Sequence, residues 1–271
     1  KMKHLSEILS STEVISFSAT EDHTITGLTY DSRTVAKGNC FFAVRGTQSD
    51  GHDYISRAVE AGAVAVVCEQ EPEKKSEGVS YIVVADTNKA MADMAAAYYD
   101  HPSSELHLVG VTGTNGKTTI ATLLYDLYRR MGYRAGLIST VVYRIDTREI
   151  PSTHTTPDAI RLNAMLREMV DCGCDYCFME VSSHSLVQDR VRGLKFRGAL
   201  FTNLTHDHLD YHGTYAEYIK AKKLLFDRLD KQAFALVNVD DRNGEVMVQN
   251  CRAHVARYSL RQMADYRAKV L

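Results

Sequence analysis

Val109-Gly110-Val111-Thr112-Gly113-Thr114-Asn115-Gly116-Lys117-Thr118-Thr119 reads as an apolar strand that runs into a Gly-rich turn and then opens a helix. In such a turn the backbone N–H groups curl toward an anion and the helix N-terminus adds partial positive charge. Lys117 can reach phosphate oxygens, and Thr118 can ligate magnesium. A nucleoside triphosphate is the expected guest, held by Gly113, Thr114, Asn115, Gly116, Lys117, Thr118 and Thr119. The general P-loop spacing puts Gly where this chain has Val111; here the glycines fall at Gly110, Gly113 and Gly116. A chance Gly-Lys-Thr in a loop is the competing reading. The flanking strand and the stripe Ile120, Leu123, Leu124, Leu127 and Tyr128, spaced as one helix face, argue against it.

Downstream of the turn the pattern alternates. Strands are expected at 134–140, 175–181, 199–204 and 233–239, helices at 158–170 and 215–229, and a further strand at 255–259. This predicts an α/β fold with a doubly wound, mainly parallel sheet that binds ligands at the carboxyl ends of its strands. Upstream, residues 27–103 read as a small α/β unit with strands at 40–44, 63–68 and 81–85 and a helix near 54–61. The polar, proline-broken Asp100-His101-Pro102-Ser103-Ser104 is the linker candidate, which gives domains 1–103 and 104–271.

The 271 residues suffice for two domains. A net charge of −2 supplies no basic field for nucleic acid, so a polyanionic ligand needs a local cluster. No apolar run approaches the ~20 residues of a membrane span, and the start is polar, so a cytoplasmic protein with no membrane partner is expected, as a monomer. Six cysteines occur. Cys172-x-Cys174-x2-Cys177 imitates a metal knuckle but lacks a second ligand pair, and reduced structural thiols are expected.

At the end of strand 175–181, Glu180-Val181-Ser182-Ser183-His184 places a carboxylate, hydroxyls and an imidazole at the sheet edge. This is either hard-oxygen ligation of magnesium or a satisfied strand-end Glu beside a serine turn. After the next strand comes Thr202-Asn203-Leu204-Thr205-His206-Asp207-His208-Leu209-Asp210-Tyr211-His212-Gly213. Zinc would explain the histidines but not the cradle or Lys117, and magnesium beside ATP is favoured. In the helix at 215–229, Lys220, Lys222 and Lys223 surround an apolar stripe and read as a solvated face; the pattern by itself does not select Lys222.

Thr112 through Thr118, Thr155-Thr156-Pro157-Asp158, Glu180 through His184, and Thr202-Asn203-Leu204 through Gly213 together resemble the Mur ligases of peptidoglycan synthesis. The likeness covers nearly the whole chain in the family's order. It is greatest to the branch that adds the third amino acid to UDP-N-acetylmuramoyl-L-alanyl-D-glutamate, and Glu-Val-Ser-Ser-His separates that branch from its relatives.

The resemblance implies three domains, of which the chain would hold the first and much of the second. A third is expected to be absent, leaving a fragment that binds substrates without full turnover. It implies uridine-nucleotide contacts at Tyr30, Ser32, Thr47, Gln48 and Ser49, residues that ordinary turn chemistry would explain equally well. It also implies contacts to the muramoyl peptide at Thr155, Thr156, Ser182, Gln188 and Arg190, with His154 standing where the family often has Asn. Metal would be organised by Thr118, Glu180, His208 and a Lys222 carbamylated by CO2, and the adenine side would meet Asn238 and Asp241 of Asn238-x-Asp240-Asp241, which equally suits a strand exit and cap.

The implied chemistry is ATP-dependent amide ligation through an acyl phosphate, with Lys117, Glu180, His208 and Lys222 as the catalytic set. The partners would be the UDP-muramoyl dipeptide and an amino acid, meso-diaminopimelate or lysine. Two rivals differ from this. A nucleotide switch or binding module would leave the His-rich loop without a purpose, and another Mur-type or folylpolyglutamate-type ligase fits the Asp31-Ser32-Arg33 and Glu-Val-Ser-Ser-His segments less well.

Overall fold

The computed structural model describes residues 2–205 and 212–271, and these form two compact units, 1–101 and 102–271. The first begins with β1 (Lys3–His4), α1 (Leu5–Ile8), β2 (Ser16–Ser18), β3 (Thr24–Ile25), β4 (Gly27–Thr29) and β5 (Asn39–Phe42). A 3-10 turn at Gly51–Tyr54 leads into α2 (Ile55–Glu60), followed by β6 (Ala65–Cys68), β7 (Ser80–Val83) and α3 (Thr87–Tyr98). Strands β7, β6, β5 and β4 run parallel, with β2 antiparallel at the edge. β5 and β6 are buried throughout, as parallel strands covered on both faces must be. Asp86 starts α3 by accepting the Lys89 N–H at 3.1 Å.

The second unit runs β8 (His107–Thr112), α4 (Lys117–Arg130), β9 (Ala135–Ile138), β10 (Val142–Ile145), β11 (Arg148–Pro151), α5 (Ala159–Asp171), β12 (Tyr176–Glu180) and α6 (Ser183–Val187). It continues with β13 (Gly198–Phe201), α7 (Tyr215–Asp227), β14 (Phe234–Asn238), α8 (Gly244–Met247), β15 (His254–Ser259) and β16 (Tyr266–Arg267). Among the described residues its sheet has the order β11-β10-β9-β12-β8-β13-β14-β15-β16, parallel from β9 to β16. The chain moves from β8 to one side, returns through β12, then crosses to β13 on the other side. The carboxyl end of β8 is therefore a topological switch point, where open α/β sheets bind ligands. The doubly wound α/β reading holds.

Alternation along β8 divides the core. Val109 and Val111 pack with Ala121, Tyr125, Leu137 and Phe178 under α4, while Leu108 belongs with Leu162, Leu166, Met179 and Phe201 on the opposite face. Gly110 admits Phe196, which a Cβ would meet at 2.9 Å. Burying a side chain such as Phe178 stabilises the unit by roughly 1.5–3 kcal/mol.

Three expectations need correction. Only part of the α4 stripe packs inward: Ile120, Leu124 and Tyr128 pack partly buried against the core and Ala121 and Tyr125 are buried beside them, whereas Leu123 is 61% and Leu127 50% exposed. Two of the three α7 lysines are not solvated: Lys222 is 1% and Lys223 9% exposed, while Lys220 faces solvent as expected. The strand expected to reach residue 140 ends at Ile138 and turns into the β10–β11 hairpin, which periodicity did not disclose. The cysteine trio agrees with the reading: all three are free thiols, Cys172 at the α5 C-cap exposed and Cys174 and Cys177 buried.

Candidate active site

The turn from β8 to α4 is possible because glycine occupies its two left-handed positions, Gly113 (φ +145°) and Gly116 (φ +90°). A Cβ on Gly113 would lie 1.9 Å from Thr202 Oγ1, since the exit of β13 is laid against the loop. Thr114 N donates to Asn203 O (2.8 Å), Asn115 N to Asn203 Oδ1 (3.0 Å), Thr202 Oγ1 to Asn115 O (2.7 Å) and Thr205 N to Thr114 Oγ1 (2.9 Å). The cradle is thus held by its neighbouring strand as well as by its own backbone. Lys117 Nζ crosses it, donating to Gly113 O (2.8 Å) and Thr114 O (3.0 Å). Burial pushes this ammonium below the ordinary lysine range, and the Glu180 carboxylate opposes the shift.

Glu180 ends β12 beside the cradle, 1% exposed. Its Oε1 accepts from Thr118 Oγ1 (2.9 Å) and Thr140 Oγ1 (3.2 Å), and its Oε2 from Thr140 N (2.5 Å). Opposite, the buried Lys222 Nζ donates to Gly113 O at 2.9 Å and sits 4.9 Å from the Tyr218 ring centroid. Burial, reinforced by the Lys117 charge, drives its pKa well below the usual lysine value.

Beyond this edge opens a cleft of about 590 Å³ lined by Lys117, Thr140, His154, Thr155, Thr156, Ser182, Ser183, His184, Arg190 and Lys222, with the 152–153 turn. Thr155 Oγ1 meets Thr140 Oγ1 at 3.0 Å. Thr156 Oγ1 donates to Glu180 O (2.9 Å) and accepts from Ser182 N (3.2 Å). Ser182 caps α6 by accepting from Ser185 N at 3.1 Å. Arg190 donates to Thr156 O (2.8 Å) and to Gln188 Oε1 (2.6 and 3.1 Å), so Gln188 holds the guanidinium and is not itself among the lining residues. His154 is anchored through its backbone: its O accepts from Tyr143 Oη (2.6 Å) and its N donates back to the same oxygen (3.0 Å).

Asn238 and Asp241 sit at the exit of β14 and brace the strand ends. Asn238 Nδ2 donates to Thr202 O (2.8 Å), and Asp241 Oδ2 accepts from Leu204 N (2.7 Å). His208 lies outside the described residues. Thr202 and Asn203, present in the sequence motif but given no role there, brace the cradle, and Thr140 and Tyr218 join the site without having been singled out. Thr140 follows a strand's carboxyl end in the sheet, a position that would have flagged it; Tyr218, whose Oη is 3.1 Å from Thr114 Oγ1, is brought there only by the docking of α7.

Thr118 Oγ1 and Glu180 Oε1 are hard oxygens side by side at the cradle, the donor type magnesium takes. No cluster of three or more His, Cys, Asp or Glu able to hold a metal occurs among the described residues. The pair Thr118 and Glu180 suits a hydrated magnesium whose sphere phosphate oxygens complete.

In the first unit a pocket of about 500 Å³ is lined by Tyr30, Ser32, Arg33, Ser49, Tyr54 and Arg57, among others. Asp31 holds Arg33 in a fork (2.8 and 2.9 Å), which keeps the Asp31 carboxyl below its usual range. Tyr30, Ser32 and Ser49 thus meet at one pocket, whereas Thr47 and Gln48 extend the same exposed loop and do not line it.

Residues 111–271, more than half of the chain, match the Mur ligase middle domain, and residues 24–99 match the Mur ligase family catalytic domain. The chain is 55% identical to the UDP-N-acetylmuramoyl-L-alanyl-D-glutamate--2,6-diaminopimelate ligase of Bacteroides fragilis, over 98% of this chain and 55% of that protein. It is 52% identical to the ligase of the same name from Cytophaga hutchinsonii, with the same coverage of each. The solved structure of a UDP-N-acetylmuramoyl-L-alanyl-D-glutamate--2,6-diaminopimelate ligase superposes with a TM-score of 0.80 at 29% identity, covering 98% of this chain and 54% of that one. MurF of Acinetobacter baumannii shares the fold, with a TM-score of 0.69 at 17% identity over 95% of this chain and 53% of its own. The chain spans about half the length of the curated relatives it matches. On the strength of the middle-domain match and these relatives, the chain belongs to the Mur ligase family.

Proposed function

We propose that the chain carries the nucleotide-binding apparatus of an ATP-dependent amide ligase that joins an amino acid to UDP-N-acetylmuramoyl-L-alanyl-D-glutamate in cytoplasmic peptidoglycan synthesis. Its relatives' names favour 2,6-diaminopimelate over lysine as that amino acid. The observation that carries the reading is the juxtaposition of Lys117, Thr118, Glu180 and Lys222 around one glycine turn, with a polar cleft continuing from it.

In this reading the cradle amides and Lys117 hold the β- and γ-phosphates. The glutamyl carboxylate, its muramoyl peptide lying along Thr155, Thr156, Ser182 and Arg190, attacks the γ-phosphorus and releases ADP. The incoming amine then displaces phosphate from the acyl phosphate and forms the amide. Magnesium, when bound, offsets phosphate charge, and Thr118 and Glu180 would hold it, with His208 and a carbamylated Lys222 as further ligands. A bare ammonium at Lys222 would oppose the cation, whereas a carbamate supplies oxygen. No enzyme nucleophile is needed. The uridine nucleotide occupies the first unit's pocket, where Tyr30 and Tyr54 offer ring faces and Arg33 and Arg57 offer positive charge.

Calorimetric titration of MgATP, and of the UDP-muramoyl dipeptide with and without ATP, tests the reading. Each ligand should bind in the presence of the other, and Lys117→Ala should weaken ATP alone. Competition between the two, or unchanged ATP affinity in the variant, overturns it.

A further inference from the structure

His52 closes a circuit at the base of the exposed 46–49 loop. Its Nε2 accepts from Glu69 N (2.9 Å) and lies 3.4 Å from Gln70 N. A backbone N–H can only donate, so Nε2 is the bare nitrogen of a neutral imidazole and the proton resides on Nδ1. Nδ1 faces Asp50 Oδ1 at 2.7 Å, and the same oxygen accepts the His52 backbone N–H at 3.0 Å. Both ring nitrogens are thereby satisfied by one tautomer. Asp50 in turn pairs with Arg45 across the loop through a backbone bridge and a 3.9 Å ion pair, and Arg45 Nε stands 3.7 Å from Glu69 Oε1. Glu69 Oε2 accepts from Thr87 N (3.1 Å), fastening the circuit to the start of α3.

Within this ring the loop has little packing of its own. Residues 45–49 are exposed, and Gly46 N donates to Ser49 O at 2.9 Å. Gly51 lies so close to β5's exit that a Cβ would meet Val44 N at 2.6 Å. The imidazole, with its side chain only 13% exposed, joins the loop's base to the carboxyl end of β6 by hydrogen bonds, beside the longer Arg45–Glu69 ion pair. The charged groups around it are Asp50, Glu69 and Arg45.

We propose that His52 is a positioning residue for the first unit's pocket, locking the 46–49 loop by donating from Nδ1 to Asp50 while Nε2 accepts from Glu69. The proposal rests on reading that pocket as the uridine-nucleotide site. Without the lock the loop samples conformations that do not present Ser49 to the pocket, and the apparent affinity falls by the fraction of competent conformers.

The test uses the full chain in two arms. Nitrogen-15 spectra of histidine-labelled protein, without ligand, should show Nδ1 protonated and Nε2 bare at His52; a protonated Nε2 overturns the lock. In the second arm, His52→Ala should weaken binding of UDP-N-acetylmuramoyl-L-alanyl-D-glutamate about tenfold, as if about one-tenth of the loop remained competent. MgATP affinity should be unchanged, which shows that the second unit is unaffected, and a thermal unfolding profile followed by circular dichroism that matches the wild type shows that the first unit is folded. His52→Gln, whose side-chain carbonyl can still accept from Glu69 N–H, should recover part of the loss. Wild-type affinity in His52→Ala overturns the proposal. If the unaltered chain binds MgATP but not the UDP ligand, the uridine reading fails, and the nitrogen spectrum alone decides the lock.

Discussion

Lys222 on α7 donates to the carbonyl of Gly113 at 2.9 Å across 109 residues of sequence, inside an interior that leaves it 1% exposed. A buried ammonium with a second lysine beside it is electrostatically costly, so this side chain is held ready to lose its proton. Only the neutral amine can add CO2, and the environment therefore favours the carbamate proposed above.

Labelled bicarbonate should accordingly give a carbamate carbonyl carbon signal in the presence of magnesium and the UDP-muramoyl dipeptide, and Lys222→Arg should abolish it. A signal that persists in the variant assigns the modification elsewhere.

The same shift has a pH signature. The folded-state pKa lies below the unfolded value near 10.5, so between the two the unfolded chain holds more protons and stability rises with pH. Below the folded pKa the full penalty of the buried charge applies. Lys222→Met should therefore gain most over the wild type at low pH, with the advantage shrinking as pH rises through that window. Denaturant unfolding across pH checks this, and a pH-independent difference would count against it.

Gly113→Ala should lose ATP binding and cost about 1–3 kcal/mol, because φ +145° is strained for any side chain and the new Cβ would collide with Thr202. Gly132→Ala is the control: its φ is +94°, but nothing lies within 4 Å of the added atom, so only strain is paid and ATP affinity should be kept. Equal ATP affinity in both variants would show that the cradle tolerates displacement.

Glu180→Gln preserves volume, and its one oxygen can still accept from the Thr118 and Thr140 hydroxyls, while the negative charge and the acceptor for Thr140 N are lost. The advantage of MgATP over metal-free ATP should fall by about tenfold, or 1.4 kcal/mol. Paired titrations with magnesium and with a chelator measure it; an unchanged metal preference would remove Glu180 from the magnesium set.

Arg190→Ala should weaken the UDP-muramoyl dipeptide and leave ATP unaffected, since its guanidinium is fixed to Thr156 and Gln188 and, among the described residues, makes no hydrogen bond to the cradle. Gln188→Ala should give a smaller loss in the same direction by loosening Arg190. Loss of ATP binding in either variant would mean a general collapse of the cleft.

Much of this was local and therefore readable in the residues. Glycine at the left-handed positions of the cradle and the apolar strand before it act through neighbours within a few positions, so composition and spacing disclose them. The alternation of strands and helices carried the parallel sheet for the same reason. The tertiary structure alone decided which exposed-looking side chains are interior. Lys222 lies on a helix whose lysines pattern as solvated, yet it is buried because α7 docks over the β8 turn, and Leu123 and Leu127 pattern as core yet face outward. It alone placed Thr140 against Glu180, and Tyr218 against Thr114. Such pairings join segments 40 to 109 positions apart, and an amphipathic period reports only that a side chain faces one side of its own element, never what the packed neighbour brings to meet it.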